Sequence, residues 1–242
     1  MSGGRLGKYA LWQFRDFVVD RGIAILIIGF LWGYVLFEPL RRTMGPAWNG
    51  PQSPAWPLAL QISSAIVSLA VLISLNGIVS TDRKMGYYRF LFAKPVNPVI
   101  YYAQLFLVYM AGVIASMFVL SSLLHLILPM FNVWRFLQYT SIIYIAMGGI
   151  GFFLSVATRY DWLSLAGVWL GARVLRTVYG PKGGWRSKAV ELLPPVHKLD
   201  DLANSLIGTG TAEANDVLWL IGYGAVFFVV GLLILRRGSL AD

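Results

Sequence analysis

Long apolar runs constrain this chain more than any other feature. Stretches such as residues 58–79 and 217–235 contain almost no charged side chain. A bilayer core about 30 Å thick needs about 20 apolar residues of helix to cross it, so runs of this kind mark membrane-spanning helices. The whole chain is 57% hydrophobic and only 13% charged. We therefore expect an all-α polytopic membrane protein, with residues 1–242 forming a single transmembrane domain.

Six spans are predicted, over residues 22–37, 58–79, 98–128, 136–157, 162–178 and 217–235. Residues 6–21 precede the spans. If they form a helix, five apolar side chains lie on one stripe of its surface, namely Leu6, Tyr9, Ala10, Phe14 and Phe17. This spacing predicts an N-terminal amphipathic interfacial helix lying on the membrane, with the cytosolic start of the first span as the alternative. A Pro- and Trp-rich loop follows span one, a basic segment covers residues 80–97, and a longer loop covers residues 179–216.

The cationic side chains predict the orientation, because Lys and Arg near span ends stay in the cytoplasm. We therefore interpret the net charge of +9 as a topology signal and expect no nucleic-acid partner. The N-terminal segment carries Arg5, Lys8, Arg15 and Arg21, and the loop after span two carries four more cations. Both segments should lie in the cytoplasm, and six spans would bring the C-terminus there as well.

One segment disagrees with this rule. The loop over residues 179–216 would lie outside, yet it carries Lys182, Arg186, Lys188 and Lys198. Either it is a folded external element, which the rule governs poorly, or span five is a re-entrant hairpin and the chain has five spans.

Several classes of activity lack the residues they need in this sequence. The chain has no cysteine, no GxxxxGK[ST] phosphate loop and no HExxH pair, so we expect no catalytic, metal or cofactor site. Glu38 and Asp161 lie at span ends, and no acidic residue lies in the middle of a span. Proton- and sodium-coupled carriers usually need such a carboxylate, which disfavours a secondary transporter.

Polar side chains within the predicted spans are candidates for a translocation pathway. The uncharged ones could equally form hydrogen bonds between helices. Two arginines in span five would cost at least about 2.5 kcal/mol each at mid-membrane unless they reach the surface or face a wet cavity. The full set is Gln61, Asn76, Gln104, His125, Arg173 and Arg176.

Two small-xxx-small motifs predict close helix contacts, because glycines four residues apart flatten one face of a helix. Gly29 and Gly33 lie in span one, and Gly167 and Gly171 lie in span five. These glycines are candidates for an interface with a second copy, and packing within one chain is the alternative.

The order of these segments resembles the permease subunit of ABC-2 type transporters over nearly the whole chain. The most recognisable stretches are "STDRKMGYYRFLFAKPVNPVIYYAQL" at residues 80–105 and "LLPPVHKLDDLANSLIGTG" at residues 192–210, followed by the last span and "LRRGSL".

The resemblance implies roles for several segments. Residues 82–94 would form a cytoplasmic coupling helix in a cleft of an ATPase partner, with contacts from Asp82, Arg83, Lys84, Gly86, Tyr87, Tyr88, Arg89 and Phe90. Residues 6–21 would be the connecting helix, and the stretch from Pro194 would form short external or re-entrant helices over the pathway.

The resemblance also implies partners. Two separate ATPase subunits would bind ATP and Mg, and a second permease would complete a homo- or heterodimer through spans one and five. Such a complex exports or extrudes a substrate across or out of a prokaryotic plasma membrane, with no enzyme activity in this chain.

Other readings of the same residues stay open. The spacing of the basic aromatic segment is imperfectly amphipathic, so it could instead anchor at lipid headgroups. The chain could be a non-transporting scaffold that only transmits force from an ATPase. A lipid-modifying enzyme would need His125, His197 and the Asp200–Asp201 pair to converge on one membrane surface.

Overall fold

The computed structural model describes residues 3–44, 56–79, 82, 97–127, 132–158, 161–179, 185, 193–194 and 196–237. Within these ranges the regular structure is helical and no β-strand is present. This confirms the all-α class, which a bilayer favours because a helix satisfies all its backbone hydrogen bonds internally.

Eight α-helices follow one another along the described chain. They are α1 (Gly3–Phe17), α2 (Ile23–Met44), α3 (Trp56–Leu75), α4 (Pro98–Ile127), α5 (Val133–Ala157), α6 (Asp161–Tyr179), α7 (Val196–Leu202) and α8 (Ala214–Arg237). A π-turn over Val18–Gly22 joins α1 to α2, and a π-helical segment over Ala203–Thr209 follows α7.

In the described part of the chain, five helices are long and apolar enough to cross a membrane. They cover Gly7–Leu36, Pro57–Leu75, Pro98–Leu126, Val133–Ala157 and Ala214–Arg237. The chain is therefore a multi-pass membrane protein. α6, the predicted fifth span, is not among the five, and it carries both Arg173 and Arg176.

Local chemistry sets several helix ends. Asn132 caps α5 by accepting a hydrogen bond from Arg135 N at 3.1 Å, as N-cap side chains do. α3 ends at Leu75, four residues before the predicted end at residue 79, and a turn follows in which Gly77 has a positive φ of 75°. α2 continues past the predicted end at residue 37 to Met44, with Pro39 inside it.

The helices alternate in direction around a common core. We call its two ends the Asp82 end and the Tyr139 end. Tyr139 on α5 forms a hydrogen bond with Ser64 near the middle of α3, with the hydroxyl oxygens 2.7 Å apart. A Cβ on Gly151 of α5 would meet Leu75 at the end of α3 at 2.8 Å. α3 and α5 therefore run in the same direction, from the Tyr139 end to the Asp82 end.

α8 also runs parallel to α5, in very close contact. A Cβ built on Gly149 of α5 would lie 2.0 Å from Gly224 O on α8, and one built on Gly231 would lie 2.9 Å from Phe152. Because α5 ends at the Asp82 end and α8 begins at the Tyr139 end, the chain must return between them.

α6 makes the return. Its first turns lie at the Asp82 end, where Ser164 and Thr158 hydroxyls are 3.2 Å apart and Leu165 faces Gly151. α6 also contacts α7, which lies at the other end, where the Tyr139 hydroxyl donates to Leu199 O at 3.5 Å. At 19 residues α6 is about 28 Å long.

The segment 196–209 closes the Tyr139 end of the bundle. Its apolar side chains are buried against α3 and α5, namely Leu199, Leu202, Ala203, Leu206 and Ile207. Lys198 forms an ion pair with Asp216 at the start of α8. Gly210, with a φ of 83°, ends the segment against the guanidinium of Arg135.

Candidate functional site

The π-turn at Val18–Gly22 brings an arginine into the bundle at its Asp82 end. Within the turn, the Ile23 N–H donates to Val18 O, five residues back instead of four. The extra residue lets Phe17 and Gly22 both face the bundle, where each is buried. Arg21 lies in the turn itself and is half-buried. Single π-turns in otherwise regular helices are frequent at functional sites.

Arg21 ties the first helix to two others. Its guanidinium donates through Nη1 to Ser74 O in the last turn of α3. The same group lies 4.6 Å from the centroid of the Tyr109 ring on α4. A guanidinium over an aromatic face contributes about 0.5–2 kcal/mol, more when it is removed from water. Tyr109 in turn packs against Phe17, with ring centroids 5.2 Å apart.

Asp82 joins the same group of residues from the segment between α3 and α4. The Tyr102 hydroxyl of α4 donates to Asp82 Oδ2 at 3.1 Å. Burial raises the pKa of Asp82 above its ordinary value, and the Tyr102 hydrogen bond and the positive charge of Arg21 act in the opposite direction. We call Arg21, Ser74, Asp82, Tyr102 and Tyr109 the polar cluster.

A pair of glutamines, one on α1 and one on α4, lies next to the polar cluster and joins these two helices. Gln104 donates through Nε2 to Gln13 Oε1 at 3.3 Å. Gln13 is 2% exposed, and its side chain also forms a hydrogen bond with the Tyr101 hydroxyl of α4. These partners reduce the desolvation penalty of the buried amide, which is about 1–3 kcal/mol when a polar group is left unpaired.

The predicted coupling residues are described only at Asp82. Arg83, Lys84, Gly86, Tyr87, Tyr88, Arg89 and Phe90 lie outside the described residues. Asp82 itself accepts a hydrogen bond from α4 and lies within electrostatic reach of Arg21.

The predicted pathway residues lie at different ends of the bundle. Gln104 lies in the contact with Gln13, and Asn76 is exposed in the turn after α3. Gln61 and His125 are exposed toward the Tyr139 end, on α3 and α4. On α6, Arg173 is exposed and Arg176 is half-buried.

The four motif glycines have different surroundings. Gly29 and Gly33 are buried, and a Cβ on Gly29 would meet Leu120 of the same chain at 2.6 Å. Gly29 therefore permits close packing of α2 on α4. Among the described residues, a Cβ on Gly167 or Gly171 would meet nothing within 4 Å, so these residues leave this face of α6 open to a second chain or to lipid.

No group of three or more metal-binding side chains occurs among the residues that the structure describes. Comparisons with protein families, with curated proteins and with solved structures found no match in any of the three.

Arg21, Tyr102 and Gln13 were missed as site residues by sequence reasoning. Arg21 was counted only as a topology charge, although an arginine directly before an apolar run, with Asp82 at the end of the second run, was a usable signal. Gln13 lies three residues after Ala10 and four before Phe17, so a regular 3.6-residue period places it on the apolar stripe of residues 6–17, and a polar side chain on that stripe was a usable signal.

Proposed function

We propose that this chain is the membrane-spanning permease subunit of an ATP-binding-cassette transporter, driven by ATP hydrolysis in separate ATPase subunits. One observation carries the proposal. Asp82, the first residue of the segment expected to dock on the ATPase, accepts a hydrogen bond from Tyr102 of α4 and lies within electrostatic reach of Arg21 in the π-turn between α1 and α2. A partner that moves residues 83–94 would act through Asp82 on the helices that cross the membrane.

The direction of the helices supports the topology expected for such a subunit. α6 begins at the Asp82 end and contacts α7 near the Tyr139 end, so we propose that it is a sixth span. The N-terminal helix, the segment after α3 and the end of α8 would then share the cytoplasmic face of a prokaryotic plasma membrane. The cap over residues 196–209 would cover the external end of the pathway.

The open glycine face of α6 supports pairing of two permeases. A Cβ built on Gly167 or Gly171 would have no described residue of its own chain within 4 Å. A flat face of this kind lets a second helix approach closely in a membrane. We place the contact with a second permease there, with substrate exported or extruded between the two chains.

Purification of the tagged chain from its native membrane in mild detergent tests the proposal. We expect an ATPase with a phosphate loop to co-purify and hydrolyse ATP. The double variant Arg83→Glu/Arg89→Glu should lose this partner. A matched control, Arg236→Glu/Arg237→Glu, reverses two charges at the end of α8 and should retain it. Equal retention by both variants, or no ATPase with the unaltered chain, would contradict the proposal.

A further inference from the structure

The first helix carries two alternative buried faces, one residue apart. In the observed structure α1 buries Gln13 and Phe17, the last residue of the π-turn, Gly22, is buried, and α2 buries Ile25 and Gly29. Each helix follows the ordinary spacing of three or four residues, but the step from Phe17 to Gly22 is five. The π-turn supplies that longer step, so without it the two buried faces could not both meet α4.

A second face of α1 continues into α2 without any irregular step. Gly7, Leu11, Phe14 and Val18 follow one another at intervals of four, three and four residues, and Gly22 comes four residues after Val18. This face is wholly apolar, yet in the observed structure Leu11 is 72% exposed. An unbroken α-helix would place it, instead of Gln13 and Phe17, against α4.

The observed face carries an identifiable defect. It buries the polar side chain of Gln13, which is 2% exposed, and removal of an amide from water carries a cost that an apolar side chain does not. The alternative face has Phe14 at the equivalent place and carries no polar group there. In favour of the observed face, the Phe17 ring packs directly on Gly112. A Cβ built on Gly112 would lie only 2.3 Å from that ring. Opposing advantages of this kind allow one helix to have two packed arrangements.

We propose that α1 is a two-register element that turns by about 100° about its own axis when the π-turn at Val18–Gly22 becomes α-helical. Arg21 holds the observed register, because it lies in the turn and is tied to Ser74 O and to the ring of Tyr109. The use of this switch in energy coupling rests on the proposed function, since only a partner pulling on Asp82 would disturb Arg21 from outside. The existence of the two registers does not rest on the proposed function.

Paired cysteines test the switch directly, because the chain contains no cysteine of its own. Gln13→Cys with Gln104→Cys reports the observed register, and Phe14→Cys with Gln104→Cys reports the alternative one. A short thiol-specific cross-linker is applied to the purified full chain in lipid nanodiscs, without any ATPase. We expect both pairs to react in the otherwise unaltered chain, with the observed register predominating.

Two further changes bias the registers in opposite directions. Deletion of Val19, which is 59% exposed, removes the extra residue, so that the observed faces join in a regular α-helix. It should keep the first pair reactive and reduce the second several-fold. Gly112→Ala crowds Phe17 and should increase the second pair several-fold.

A control deletion of Ile27, exposed on α2, separates the effect of the π-turn from that of any shortened helix. It breaks the spacing between Ile25 and Gly29, and it should lower thermal stability far more than deletion of Val19. If deletion of Val19 is as damaging as this control, the interpretation of the π-turn as one extra residue is overturned.

The decisive outcome is the reactivity of the second pair. Failure of that pair to react in both the unaltered chain and Gly112→Ala overturns the two-register proposal. Because no ATPase is present, this failure leaves the permease proposal untouched. Loss of the ATPase partner in the purification experiment would likewise leave the cross-linking result unaffected.

Discussion

The contact between α5 and α8 is so close that a single methyl group should force the helices apart. A Cβ built on Gly224 would lie 2.1 Å from Ile145 O, whereas ordinary contact begins at 3.4 Å. The obstructing atom belongs to the α5 backbone and cannot rotate away. Gly224→Ala therefore requires a local separation of about 1.3 Å, the difference between these two distances.

This separation would loosen the aromatic side chains that fill the same interface. The ring centroids of Phe228 and Phe106 are 4.4 Å apart, and those of Phe228 and Phe152 are 4.9 Å apart. A gap of about 0.5–1 Å already loses a quarter to a half of the dispersion attraction of a contact. Forced overpacking costs about 1–3 kcal/mol, and we expect Gly224→Ala to fall in the upper half of this range.

Gly222→Ala is the matched control on the same helix. A Cβ at Gly222 would meet nothing within 4 Å, and alanine is a better helix former than glycine by about 0.8–1 kcal/mol. The assay is thermal unfolding of the purified chain in detergent. At about 2–4 °C per kcal/mol for a chain of this size, Gly224→Ala should lower Tm by about 4–12 °C. Gly222→Ala should leave Tm unchanged or slightly higher. Equal shifts for the two variants would refute the close α5–α8 contact.

Three further predictions follow from the described contacts. Burial raises the pKa of Asp82, so folding favours its protonated form. The stability that the protonated form contributes to the folded state is lost as pH rises through the folded pKa. The Tm of Asp82→Asn relative to the unaltered chain should therefore increase from pH 4 to pH 8, and a flat difference would contradict it. Gly210→Ala should lower the free energy of unfolding by about 1–2 kcal/mol, because the φ of 83° at Gly210 disfavours any side chain. Chemical denaturation measures this loss, and an unchanged denaturation midpoint would count against the cap geometry. Gly29→Leu should lower Tm because Leu120 occupies the space that the new side chain needs. Gly167→Leu should leave Tm unchanged and weaken the pairing of two chains, which mass photometry measures. The reverse pattern would place the interface on α2.

Helix positions were largely predictable from the sequence. The predicted span over residues 98–128 is observed as Pro98–Ile127, because Asn97 accepts a hydrogen bond from Val99 N at 2.9 Å and fixes the start. The last span, predicted over residues 217–235, is observed as Ala214–Arg237. Apolar composition locates such helices because the bilayer sets their length.

The end of the second helix was not predictable from hydropathy. α2 runs on to Met44 through Pro39, where the sequence turns polar and a loop was expected. The Arg42 side chain donates from Nε to Glu38 Oε1 at 2.9 Å, four residues earlier, and stabilises the helix beyond the apolar run. Apolar residues define what lies in lipid, and a helix can continue after they end.

The candidate site was only partly predictable. The contact of Asp82 with an ATPase stays a prediction, and its hydrogen bond with Tyr102 of its own chain was not foreseen. The π-turn that brings Arg21 to Ser74 has no signature for a method that assumes 3.6 residues per turn. The Gly149–Gly224 contact joins one glycine of α5 to one glycine of α8. No sequence motif within either helix predicts which glycine of the other helix it will meet.

The central claim is that an ATPase partner acts on the membrane helices through the segment that begins at Asp82. ATP turnover by the purified complex tests it most directly, with Gly86→Pro compared with the unaltered chain. A proline in the expected coupling helix would break it at a cost of about 3 kcal/mol. Gly50→Pro, in the loop predicted to lie on the other side of the membrane, serves as the control. We predict that turnover falls several-fold with Gly86→Pro alone while the complex stays assembled, and unchanged turnover would contradict the account.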